Sequence, residues 1–119
     1  MGFVAALVLV LSACAAPPVA PTQALREAES SIARAEQSRA SDYAALELGA
    51  AREKLAAAND AVRREDMAQA KRLAQQSGVE AELALAKSQA SKAREVNAEM
   101  QQSTDSLRDE MQRSSGGAQ

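Results

Sequence analysis

The chain has 119 residues, 14 basic and 16 acidic, for a net charge of −2. That balance provides neither a polyanion-binding patch nor an acidic tail, so no nucleic-acid partner is expected. Hydrophobic residues make up 46% of the chain, but 29 residues are alanine and Tyr43 is the one aromatic after Phe3, which excludes a large globular core.

The chain opens with an uncharged segment, apolar throughout from Phe3 to Leu11. This is the length of a secretory h-region and falls well short of the roughly 20 residues that span a bilayer. Met1-Gly2-Phe3 lacks the basic start usual for a signal peptide. Leu11-Ser12-Ala13-Cys14 resembles a bacterial lipobox, in which small residues flank the cut and the thiol of the following cysteine receives diacylglycerol. Cys14 is the only cysteine of the chain and is the expected lipidation site, with residues 1–13 as the signal peptide. An ordinary signal peptide cut at a neighbouring alanine and a buried structural cysteine are the alternatives. Two or more acyl chains make such anchoring stable. Ala15 follows the cysteine, and under the sorting rule of Gram-negative lipoproteins it points to the outer membrane, facing the periplasm. No cofactor is expected beyond the covalent lipid.

Residues 15–21, AAPPVAP, hold all three prolines and read as an extended tether of roughly 20 Å at most. Residues 22–113 form an alanine-rich helical domain. Thr22 offers an N-cap, and Leu25, Ala28, Ile32 and Ala35 recur on one face of a first helix that breaks within Ser38–Asp42. A second helix starts at Asp42 and places Leu48, Ala51, Leu55, Ala58 and Val62 on one stripe, with Arg52, Lys54 and Asn59 opposite. Arg63 to Gln69 reads as a tight turn in which Asp66 and Gln69 fit a capping box. Met67, Ala70, Ala74, Ser77, Ala81 and Ala84 then open a third helix with a seam small enough for close backbone approach to the second.

The run from Tyr43 to Ala86 resembles the short alanine-rich helical domain of a family of small bacterial envelope lipoproteins, catalogued as a domain of unknown function. Leu48, Ala51, Leu55 and Ala58 match its first helix, and Ala70, Leu73 and Ala74 its last. Glu65-Asp66-Met67 stand where members often have Gly-Asp-Tyr. Some members continue into, or are encoded beside, an OmpA-like peptidoglycan-binding domain, so the resemblance implies an OmpA-like or other envelope protein as partner.

Past Ala86, the positions Val79, Leu83, Ala86, Ala90, Ala93, Asn97, Met100, Thr104, Leu107 and Met111 alternate spacings of four and three. A continuous third helix from Met67 to Arg113 would be roughly 70 Å long, more than the first two can cover. From about Ser91 it either projects alone or pairs with another chain, and a solvated alanine-rich helix with partly fortuitous spacing is the plainer reading. Ala93, Asn97, Met100, Thr104, Leu107 and Met111 form the candidate partner seam, with Asn97 suited to register selection and a homo-oligomer as one outcome. Residues 114–119 read as a disordered tail.

The fold expected is all-α: short helices in a hairpin or three-helix arrangement, with a long C-terminal helix that is partly coiled-coil-like. No histidine, phosphate loop or metal-ligand cluster is present, so neither a metal site nor catalytic residues are expected. Ser88 and Lys92 stand at helical spacing, but on an exposed helix that pair is surface decoration rather than nucleophile and base. The expected function is that of a lipid-anchored structural or adaptor protein presenting a helical surface to an envelope partner. The alternative is a regulatory module docking on a periplasmic or cell-wall enzyme.

Overall fold

In a computed structural model, residues 18–117 are described. The expected signal segment, the expected lipobox residues Leu11, Ser12 and Ala13, the expected lipidation site Cys14 and the sorting residue Ala15 lie outside these residues. Among the described residues the regular elements are four helices: α1 (Thr22–Gln37), α2 (Ala40–Tyr43), α3 (Ala45–Arg63) and α4 (Met67–Gly116). The fold is all-α, as the alanine-rich periodicity predicts.

Pro21 caps α1, in place of the expected Thr22. Its carbonyl accepts the first helical bond, from Leu25 N–H at 3.1 Å. Proline has no N–H to leave unpaired there. Thr22 is already inside the helix, and its hydroxyl donates back to the Ala20 carbonyl at 3.2 Å.

The break after α1 falls within the expected Ser38–Asp42 run, but it holds an extra element. Arg39 has φ of 63°, in the left-handed region, which stops the ladder. A single turn, α2, follows, and Ala44 at φ −147° interrupts the helix again, so α3 starts at Ala45 and not at Asp42. The double bend drives Ala40 and Ala44 into the core, where they are 0% and 3% exposed.

A Schellman motif closes α3. Asp66 N–H reaches the Ala61 carbonyl at 2.9 Å and Glu65 N–H reaches that of Val62 at 2.9 Å, with Glu65 left-handed at φ 61°. Asp66 then caps α4 by accepting from Gln69 N–H at 3.0 Å, the half of the capping box that orders α4. Glu65 therefore occupies, without a glycine, the conformation that glycine adopts at least cost. Glu65→Gly should stabilise the fold by about 1 kcal/mol, because a side chain in the left-handed region costs roughly that much. A thermal melt that fell instead of rising would mean that the turn does not hold this conformation.

α4 is about 75 Å long. Ala70, Ala74, Ser77, Ala81, Ala84 and Ser88 line its buried stripe, spaced four, three, four, three, four. None is larger than serine, so neighbouring backbones come close: a methyl built on Gly78 would lie 4.0 Å from Ala28 Cα. α3 runs antiparallel to α4, with Lys54 bonded to Glu80 at 2.6 Å and Glu47 paired with Lys87. α1 runs parallel to α4, its end at Ser38 beside Ser88, and antiparallel to α3, with Arg52 on Glu36. The result is an up-down-up bundle along the first half of α4.

The core gathers Ile32, Ala35, Ala40, Ala44, Leu48, Ala51, Ala81 and Ala84, with Leu55 and Leu85 packed on its flank. Leu48 is its largest fully buried side chain, and Leu55 and Val62 are half-buried. Beyond the bundle every residue from Ala93 to Gly117 is exposed. The helix continues to Gly116, past the expected start of a tail at Ser114. The hydroxyls of Ser114 and Ser115 fold back onto the carbonyls of Met111 and Gln112 at 3.0 and 3.1 Å, which supports the final turn.

Candidate functional site

The most distinctive surface is the face of α4 turned away from α1 and α3. At 3.6 residues per turn, the seam from Val79 to Met111 centres about 160° from the buried stripe, so the two stripes lie on opposite faces of one helix. Large apolar side chains stand out along it: Val79 is 66% exposed, Met100 63%, Leu107 63% and Met111 70%. Ala93, Asn97 and Thr104 are exposed as well, so all six candidate seam residues reach solvent along one side of the arm. The Thr104 hydroxyl donates to the Met100 carbonyl at 2.8 Å, which satisfies it locally and leaves its methyl available for contact. Val96, also exposed, widens the strip. It escaped the heptad reading because it sits one position beside the seam, yet its i,i+4 spacing to Met100 marks it as a neighbour.

Ion pairs between residues three apart, Arg108–Asp105 at 3.2 Å and Arg113–Glu110 at 3.7 Å, dress the flanks of the arm. Exposed pairs of this kind add little to stability. Their effect is to keep the arm polar beside its apolar strip.

Where the arm leaves the bundle, Tyr43 donates its hydroxyl to Glu95 at 2.6 Å, and Arg39 lies 5.8 Å over the Tyr43 ring while bonding Asp42. The bond to Glu95 raises the Tyr43 phenol above its ordinary value, with loss of hydration adding to the rise. A raised phenol contributes while protonated, so this link is present at neutral pH and is lost as pH climbs through the folded value. Glu47 shifts the other way: its hydrogen bond from Lys87 holds the carboxyl below the ordinary range. That contribution is present above the ordinary carboxylate value and is lost as pH falls through the folded one. Both links tie α4 to α2 and α3 just before the arm emerges.

Ser88 departs from expectation. It is fully buried, and its hydroxyl donates to the Ser38 carbonyl at the end of α1. It closes one of the carbonyls a helix end leaves open. Lys92 is half-buried at the edge of the bundle. Ser77 acts similarly mid-helix, donating to the Ala51 carbonyl at 2.7 Å. In a seam that admits only small residues, serine adds a directed bond between helices at almost no extra volume. Among the described residues no group of His, Cys, Asp and Glu has the placement to hold a metal ion, and no helix is long and apolar enough to cross a membrane.

A family model described as a domain of unknown function (DUF4398) matches residues 23–107. The chain belongs to this family. The match runs through the bundle and most of the arm, so the DUF4398 domain here includes the seam from Val79 to Leu107 as well as the packed helices. No curated protein and no solved structure matches the chain.

Proposed function

We propose that this DUF4398 chain is a lipid-anchored structural or adaptor lipoprotein of the bacterial outer membrane, facing the periplasm and holding a helical surface out towards an envelope partner. The carrying observation is polarity. The start of α1 lies beside the α3–α4 turn, where Pro21, Thr22 and Gln23 share a groove with Met67, Ala68 and Lys71. The bare half of α4 leaves from the other end of the bundle. A chain fixed through acyl groups on Cys14 would thus carry its seam away from the membrane on a helix about 75 Å long, above a tether of roughly 20 Å. An OmpA-like protein or the cell wall is the class of partner that the family resemblance suggests at such a distance. The protein then works by position, and Ser88, the one hydroxyl weighed as a nucleophile, closes a helix end.

The test is lipid labelling and membrane fractionation of wild type beside Cys14→Ser. Wild type should label and fractionate with the outer membrane. The variant should lose the label and persist as uncleaved precursor, since lipidation and cleavage both require the thiol. Normally processed, membrane-bound Cys14→Ser protein would overturn the anchor, and inner-membrane recovery of wild type would overturn the sorting read from Ala15.

A further inference from the structure

The exposed seam has the grammar of a self-pairing helix. With Asn97 in the a position of a heptad, Thr104 and Met111 are also a residues, and Met100 and Leu107 are d residues. The series continues back to Val79, and none of these side chains is covered by the chain's own helices. We propose that a second copy of this chain covers the seam, as a parallel, in-register two-stranded coiled coil from Val79 to Met111. This rests on the function proposed above and specifies it: the second copy occupies the seam, the outer faces of the paired arms are what is held out towards an envelope partner, and two chains anchored in one membrane by their N-termini would meet in that orientation.

Three features of the sequence and fold select this occupant. The first is the flanking charge. In a parallel pair each g residue faces the e residue five positions on in the other copy. Glu82 then faces Lys87 of the second copy, Gln89 faces Arg94, and Ser103 faces Arg108, with no like charges opposed. An antiparallel pair would set Glu82 against Glu110 and Arg94 against Arg94 of the second copy. The second feature is Asn97, which in parallel register meets its own counterpart across the interface and can bond to it, whereas antiparallel pairing would put alanine there. The third is size and access. The seam is about 48 Å long and a helix about 10 Å wide, so a pair would bury roughly 1,000 Å2, the threshold for a specific interface. The two bundles would sit on the outer sides, because α1 and α3 lie opposite the seam. A strict seven-residue repeat drifts about 20° per heptad around a straight helix, so pairing would wind the arms left-handedly around each other.

The experiment is disulfide trapping in the full chain, in membranes of a bacterial host, with Met100→Cys, Leu107→Cys and, on the far face of the arm, Ser106→Cys. Mild oxidation should give several-fold more dimer from the two seam variants than from Ser106→Cys. Differently tagged Met100→Cys and Leu107→Cys chains produced together should give no mixed disulfide, since one heptad separates them along the axis. Equal yields at all three positions, no dimer at any, or a prominent mixed disulfide would each overturn the proposal. Wild type under the same oxidation reads the anchor separately: a disulfide there reports a free Cys14 thiol and sinks lipidation, while the ratio of Leu107→Cys to Ser106→Cys still judges the seam.

Discussion

Leu48→Asp should unfold the bundle, whereas Leu107→Asp should leave its melting in dilute solution unchanged. Leu48 is 1% exposed and is the largest side chain fully enclosed by the three helices. Apart from Ile32, the other buried members of its cluster are all alanines, whose methyls are too short to fill the space it leaves. Deleting a buried leucine costs about 2–5 kcal/mol, and a carboxylate forced into the vacated site adds the cost of burying a charge. A small domain has only about 5 kcal/mol to lose. Leu107 is 63% exposed and lies within the stretch from Ala93 to Gly117 in which every residue is exposed. Circular dichroism melts of both variants at low concentration would decide between them. Equal destabilisation would mean that the arm folds back on its own bundle, and the projecting seam would have to be abandoned.

The contrast between these two leucines was largely legible in the sequence. Alternating steps of three and four picked out Ala28, Ile32 and Ala35, then Leu48, Ala51 and Ala58, then Ala70 through Ala84, and all of these are buried. The same count put the start of the bare arm near Ser91, and full exposure begins at Ala93. Periodicity works here because each helix buries a single stripe within its own chain, and the outer seam of α4 lies on the opposite face. Leu55, central in its stripe, is only half-buried and packs on the flank of the core.

What escaped the sequence has local causes. The left-handed residues are Arg39 and Glu65, and neither is the glycine that marks such positions, so the short α2 left no signature, and the turn after α3 was legible from its capping residues but its left-handed Glu65 was not. Ser88 continues the Ala81–Ala84 spacing by four, but its chemistry suggested a surface. Its burial depends on an open carbonyl at Ser38, fifty residues earlier, which no local pattern announces. The end of α4 ran past Arg113 because serines that signal a tail when solvated can also bond back to the preceding turn.

One substitution made at two points of α4 should act with opposite signs. Ala81 is completely buried where α1 and α3 both press on α4. Ala81→Leu would insert three further carbons into a contact that serine-sized side chains already fill. Either the helices move apart along the whole seam, breaking the Ser77–Ala51 and Ser88–Ser38 bonds, or the leucine adopts a strained rotamer, and overpacking of this kind costs about 1–3 kcal/mol. Ala93 lies on the arm at a d position of the outer seam, exposed within one chain. Leucine is nearly as good a helix former as alanine, so Ala93→Leu should hardly alter the isolated chain. In a parallel pair it would place leucine where two-stranded coiled coils favour it, stabilising association by roughly 2 kcal/mol per copy as its side chain leaves water. Melting each variant at two protein concentrations separates the effects. Ala81→Leu should melt several degrees below wild type at both, and Ala93→Leu should match wild type when dilute and exceed it when concentrated. A higher melting point for Ala81→Leu would mean that the bundle is loosely packed, and a concentration-independent loss for Ala93→Leu would mean that the outer face of α4 is already occupied by its own chain.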